Sequence, residues 1–397
     1  MRDDGRRSGP GRWRWPSTRP VAVLLAGLLA LTGCGPAAPD PSGFADAANA
    51  AVTTVLADLE DYWTATQPTI GGPAFVPPAG GYHPVDAAAG GAGALCVTRP
   101  AQISGNAFYC PDQDGLVWDS SALVPVLWGR GGAGSVAAAF AHEYGHAVQA
   151  RVGPTPAQRS ADPVRYPTLL IEAQADCYAG AFLAWLRDGG STRERLDTAD
   201  LLPSLQVLLD FRDPAGMVAV DPAAHGRGVD RLEFVLRGWG SGAAACRALT
   251  TTDLPSDRRT EDGGRPRYAD PAGAVADAAP SLRRLVTGWP GGSAAVGDPP
   301  SPDAADLDAA RPFGQFAAAA AAALATGHAV TGSDIGAACF AGAWTAAVTS
   351  APTTGGLGAW AGDPDEALDL VRSRPGATTG QLVAFAAGWQ HGPDGCR

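Results

Sequence analysis

The chain predicts an α+β fold in which a small sheet is followed by helices. Two observations carry this reading. Short β-type runs are confined to one stretch, at Leu95-Cys96-Val97, Asn106 to Tyr109 and Gly115 to Trp118. Helical periodicity then takes over in Ala-rich segments at Ser135 to Val152 and Thr168 to Leu186, and again at Phe316 to Ala329 and Asp334 to Val348. A length of 397 residues fits two units.

At the start, Arg2, Arg6, Arg7, Arg12, Arg14 and Arg19 precede the apolar run Val21 to Leu31. That run is too short to span a bilayer and has the length of a signal-peptide core, so residues 1–33 read as an export signal. Leu31-Thr32-Gly33-Cys34 resembles the bacterial lipobox, which makes Cys34 the expected lipidation site and the membrane a partner through that lipid. The alternative is a plain secretory signal, and a secreted protein. Residues 34–43 are a Pro/Gly/Ala tether. Val52, Val55, Leu56, Leu59 and Trp63 then carry a helical pattern, and the Pro/Gly-rich stretch 67–93 reads as irregular. A helix is expected from Gly228 to Arg237, ending at Gly238-Trp239. The segment 251–311 is rich in Asp, Pro, Gly and Arg and reads as a linker or poorly ordered insert. It divides a unit at 44–250 from a mainly helical unit at 312–397.

Formal net charge is −11, although the segment before Cys34 is itself basic. So acidic an exported chain excludes a nucleic-acid partner. Six cysteines follow Cys34, namely Cys96, Cys110, Cys177, Cys246, Cys339 and Cys396. An even count in an exported chain reads as three disulfides, with about fifteen connectivities open. The favoured set joins Cys96 to Cys110 across two short strands and Cys177 to Cys246, which leaves Cys339 with Cys396.

The chemistry is concentrated in His142-Glu143-Tyr144-Gly145-His146 and Glu172-Ala173-Gln174-Ala175-Asp176. Positions four apart share a helix face, so His142 and His146 can hold one divalent ion. Glu143 lies about 100° round from the first His, able to act on water without taking a coordination position. Glu172 and Asp176 put two like charges on one face of an apolar helix, which is destabilising unless cations or donors answer them. An ion answers Glu172, and a ring N–H of a ligating His answers Asp176. Two His and one Glu leave a coordination position open, unlike a closed structural site.

These blocks resemble the bacterial putative neutral zinc metallopeptidase family, within the gluzincin type. The match runs through Ala141 to Gln149 and Glu172 to Gly180, with Ala107 to Pro111 upstream and His225-Gly226 and Arg231 downstream. The resemblance is to a lipoprotein peptidase of actinobacterial type. It implies a compact zincin unit, minigluzincin-like, with one zinc ion held by His142, His146 and Glu172. Glu143 would then be the general base and Asp176 a partner of a ligating His. The substrate would be a peptide or protein laid along the strand at Asn106 to Tyr109. His225 is the candidate donor to the transition-state oxyanion, its alternative being a loop His bonded locally. Two other functions stand beside peptide hydrolysis: a catalytically silent lipoprotein that binds a partner, and a zinc amidase acting on a cell-wall bond.

The last third reads as a degenerate second copy. Gly327-His328-Ala329-Val330 repeats Gly145-His146-Ala147-Val148, and Cys339-Phe340-Ala341-Gly342 repeats Cys177-Tyr178-Ala179-Gly180. Gly388-Trp389 and Cys396 repeat Gly238-Trp239 and Cys246. Leu324, Ala325 and Ala338 stand where His142, Glu143 and Asp176 would, so this copy should be inert. The competing explanation is coincidence between two Ala/Gly-rich stretches.

Overall fold

The computed structural model describes residues 41–214, 221, 224–254, 270–290, 298–350 and 362–397. The export signal, Cys34 and most of the tether lie outside the described residues. None of the described helices is long and apolar enough to cross a membrane.

Three strands form the expected small sheet. β1 (Gly81–Val85) runs parallel to β3 (Gly115–Asp119), and β2 (Ala107–Cys110) runs antiparallel to β3 on its other side. β3 is therefore central and buried along its whole length, while β2 is an edge. β1 falls in the stretch expected to be irregular, because Pro84 and the surrounding glycines mask it; Pro is tolerated there on an edge strand. Leu95-Cys96-Val97 is not a strand. Leu95 has φ 48°, a turn conformation, and the disulfide Cys96–Cys110 ties that loop to β2.

Helix α1 (Pro41–Thr66) covers α2 (Leu123–Val152), which is broken at Gly131 and Gly132. The part after the break carries His142 to His146. Ser135 does not cap it; its hydroxyl donates to the Pro203 carbonyl, and the break itself begins the straight segment. Gly153 ends the helix. After the short α3 (Pro156–Ala161), α4 (Thr168–Arg187) brings Glu172 and Asp176. It crosses α2 at Gly145, where a Cβ would meet Ala175 Cα at 3.1 Å. Without a side chain there, the two helices approach closely enough to share an ion.

A helix not foreseen, α5 (Thr198–Asp210), packs on α2 despite Pro203. α6 (Gly228–Arg247) passes through Gly238 rather than stopping there. The reason is packing: Gly238 lies against the Cys177 carbonyl and Gly180 against the Val235 carbonyl, with no room for a Cβ at either. The disulfide Cys177–Cys246 closes this α4–α6 pair.

Part of the expected linker is helix, α7 (Pro271–Thr287) and α8 (Ala304–Ala310), while residues 255–269 lie outside the described set. Ala274, Ala278 and Leu282 give α7 a buried face, a periodicity hidden by the Asp and Pro between them. α7 packs on α9 (Gln315–Thr331), followed by α10 (Asp334–Ser350), α11 (Asp363–Ser373) and α12 (Thr379–His391).

Several contacts among α2, α4 and α6 have counterparts among α9, α10 and α12. Gly327 meets Ala337 as Gly145 meets Ala175. Gly342 lies on the Phe385 carbonyl and Gly388 on the Cys339 carbonyl, as Gly180 and Gly238 lie on Val235 and Cys177. Cys339–Cys396 closes α10 on the chain end after α12. Trp63 sits against Tyr178, ring centres 5.2 Å apart, and Trp289 against Phe340 at 4.8 Å.

Candidate metal centre

Helix geometry on α2 and α4 decides the centre. His142 and His146 are one turn apart on α2, their rings edge to face with centroids 5.0 Å apart. Glu172 faces them from α4: its Oε2 is 3.1 Å from His142 Nε2 and its Oε1 is 3.5 Å from His146 Nε2. One donor atom from each of the three lies within 4.8 Å of the others. Two imidazole nitrogens and a carboxylate converging on one point fit a zinc ion, with room for a further ligand.

The other ring nitrogens are held as well. His142 Nδ1 is 2.7 Å from Asp176 Oδ1, and His146 Nδ1 is 3.0 Å from Gln149 Oε1. A proton on each Nδ1 leaves each Nε2 lone pair for the ion. Gln149 is itself fixed, its amide donating to the Ile171 carbonyl at 2.7 Å. Asp176 is fixed by Arg231, which is 1% exposed: Nε reaches Oδ2 at 2.9 Å and Nη2 reaches Oδ1 at 2.7 Å. Arg231 also donates through Nη1 to the Phe211 carbonyl at 2.6 Å.

These fields set the ionisation. Burial lowers the tendency of His142 to carry charge, but Asp176 and Glu172 outweigh it and raise its pKa to about 10. Burial raises Glu172, and His146, His142 and His225 together bring it well below the carboxylate range. Asp176 is lowered in the same way, burial being overcome by Arg231 and His142. The carboxylates that favour positive charge on His142 favour a cation beside it for the same reason. Glu143 goes the other way. It sits in an adjoining cavity with Asn106, Leu123, Leu208 and Phe211, and burial there lifts its carboxyl above its ordinary range.

The expected residues therefore meet: His142, His146 and Glu172 around one point, Asp176 behind His142, and Glu143 in the cavity beside it. His225 stands near enough to interact electrostatically with both Glu143 and Glu172. Its Nδ1 is 3.4 Å from Asp213, which also accepts the His225 and Gly226 N–H groups at 2.7 Å each. Sequence reasoning assigned no role to Gln149 or Arg231. Gln149 had a signal, lying three residues after His146 on the same helix; Arg231 had one only as a downstream part of the resemblance, since only the fold brings it to Asp176.

A paired-His, single-Glu centre with a carboxylate in the adjoining cavity defines a zinc-peptidase-type site. The chain belongs to the family described as "Putative neutral zinc metallopeptidase", whose model matches residues 39–249. No curated protein and no solved structure matches the chain. The match covers the sheet and α1 through α6, and leaves α7 through α12 outside it.

Proposed function

We propose that the protein is a zinc-dependent peptidase in which Glu143 is the general base. The observation that carries this is the convergence of the His142, His146 and Glu172 donor atoms within 4.8 Å, with Glu143 in the adjoining cavity. A bound zinc ion supplies Lewis acidity there, polarising a carbonyl and making water acidic enough to lose a proton near neutral pH. Glu143 takes that proton and passes it to the departing amine. Its raised pKa suits a group that must hold the proton between the two events. Among the described residues no strand pairs with the outer edge of β2, which offers backbone groups to an extended peptide, and Asn106 and Ala107 at its start line the same cavity as Glu143. His225 is the proposed donor to the oxyanion.

The test compares wild type with Glu143→Gln for zinc content and for hydrolysis of an unstructured protein. Retained zinc with lost hydrolysis is expected, and equal hydrolysis by the two proteins would remove Glu143 from the role of base.

The last third is proposed as a degenerate copy of the first unit, supported by the recurring glycine contacts, tryptophan contacts and disulfides. The pair His328–Asp334, at 3.3 Å, stands in the alignment where His146 and Glu172 stand. With Leu324 and Ala325 in place of the other two groups, it lacks both a third ligand and a base. Export with a lipid on Cys34 is likewise proposed; the three disulfides support an oxidising compartment.

A further inference from the structure

We infer that the C-terminal unit positions the wall of the centre that faces Glu143, through two carboxylates of α11, Asp365 and Asp369. The inference rests on the peptidase reading above. α11 is crowded with acids at Asp363, Asp365, Glu366 and Asp369, and both Asp365 and Asp369 are buried. Buried carboxylates must be answered by donors, and here, apart from Arg372 of α11 itself beside Asp369, the donors belong to the catalytic unit.

Asp365 accepts the N–H groups of Gly228 and Val229 at 3.0 and 2.9 Å. These open α6, and the residue before them, Arg227, provides no side-chain cap. The cap that a helix ordinarily takes from its own flanking residue comes from far along the chain. Gly228 admits it closely, since a Cβ there would stand 3.1 Å from Asp365 Oδ1. Arg231, which holds Asp176, is within the same first turn of α6.

Asp369 takes Arg212 in a two-pronged pair, at 2.8 and 2.6 Å. Among the described residues the acids paired with Arg212 are Asp365 and Asp369, both on α11. Arg212 stands between two residues that matter to the centre. Phe211 lines the Glu143 cavity and accepts from Arg231. Asp213 holds the His225 and Gly226 amides. Arg372 of α11 extends the same seam to Asp210 at 2.9 Å. None of these α11 groups touches His142, His146 or Glu172. The clamp therefore sets where His225, Phe211 and Arg231 stand, and reaches the metal ligands only at second hand, through Arg231 and Asp176. Asp365 and Asp369 are positioning residues, acting through Arg212 and the start of α6.

The experiment uses the full, zinc-loaded chain as wild type, Asp365→Asn, Asp369→Asn and the conservative Asp369→Glu, well below their melting temperatures. Zinc affinity, measured by chelator competition, should fall by less than the roughly 10-fold expected for outright loss of a partner behind a ligand, because the ligands are untouched and Arg231 itself is kept. Amide exchange should quicken in 211–213 and 224–231 and stay unchanged in the His142 helix. Turnover should fall by about 10-fold or more with KM little changed, as misplacement of transition-state groups predicts. Asp369→Glu should recover part of that loss. Wild-type exchange in both segments, or wild-type turnover in a variant whose exchange has quickened, overturns the inference. Should wild type prove no more active than Glu143→Gln, it is the peptidase reading that fails. The clamp is then judged by binding of a peptide hydroxamate to the zinc-loaded proteins: about 10-fold weaker binding to Asp369→Asn upholds it, and equal binding overturns it.

Discussion

Replacing Arg231 by Met tests the layer behind the metal ligands. Arg231 is the buried partner of Asp176, with two bonds of 2.9 and 2.7 Å to the carboxylate and a third to the Phe211 carbonyl. Met fills much of the same volume but answers none of these acceptors. Leaving one member of a buried ion pair unpartnered costs about 3–5 kcal/mol. For a unit of this size that corresponds to a melting point lower by roughly 6–20 °C. Asp176 also loses the charge that keeps it ionised, so it orients His142 less firmly. Loss of such a partner weakens metal binding by about 10–100-fold, or roughly 1.4–2.7 kcal/mol. The double variant Arg231→Met with Asp176→Asn removes both charges and should recover much of the stability while zinc affinity stays low. Thermal melts of the apo proteins and chelator competition separate the two effects. Wild-type zinc affinity in Arg231→Met would refute the chain of support running from Arg231 through Asp176 to His142. A double variant no more stable than the single would refute the energetic argument.

Three further outcomes are expected. His225→Ala should keep its zinc and lose turnover, and unchanged turnover in a folded variant would take His225 out of the mechanism. Burial raises the Glu233 carboxyl to about 7, so its proton stabilises the fold below pH 4.5 and that contribution is lost as pH rises through about 7; Glu233→Gln should abolish this slope, worth at most about 3 kcal/mol, in melts across that range. Gly238→Ala and Gly388→Ala each force a Cβ into a backbone carbonyl and should each cost about 3 kcal/mol or more, but only Gly238→Ala should weaken zinc binding, since it shifts the helix carrying Glu172. Loss of zinc in Gly388→Ala instead would count against the last third being a separate, metal-free copy.

The centre was legible because its ligands are written as helix spacings. His142 and His146 must share a face, and so must Glu172 and Asp176, whatever else the fold does. The disulfides were legible for a related reason, with six cysteines and a repeat that paired the last two by analogy with Cys177 and Cys246. What the sequence hid were contacts made by the fold alone. β1 contains Pro84 and lies among glycines, so no alternation announces it. Leu95-Cys96-Val97 reads as strand from composition, yet a left-handed Leu95 turns the chain there. Gly238 looks like a helix end because glycine usually serves as one, and only the Cys177 carbonyl against it shows another use. Asp365 and Asp369 are ordinary charged residues until the fold brings them to Arg212 and the start of α6, as it brings Arg231 to Asp176.

The disulfide between α4 and the end of α6 bears on what happens when the metal leaves. Glu172 rides on α4 and Arg231 on α6, and Cys177–Cys246 keeps these helices together in the absence of the ion. A small metallo-domain often unfolds on chelation, because the ion is its main cross-link. Here a covalent bond shares that task. Stripping the metal should leave an empty but assembled site that refills on adding zinc, so inactivation by a chelator becomes a reversible event. Under reducing conditions the same treatment would let α4 drift from α6, and the activity would not return. The redox state of the surroundings would then determine whether metal starvation pauses this protein or destroys it.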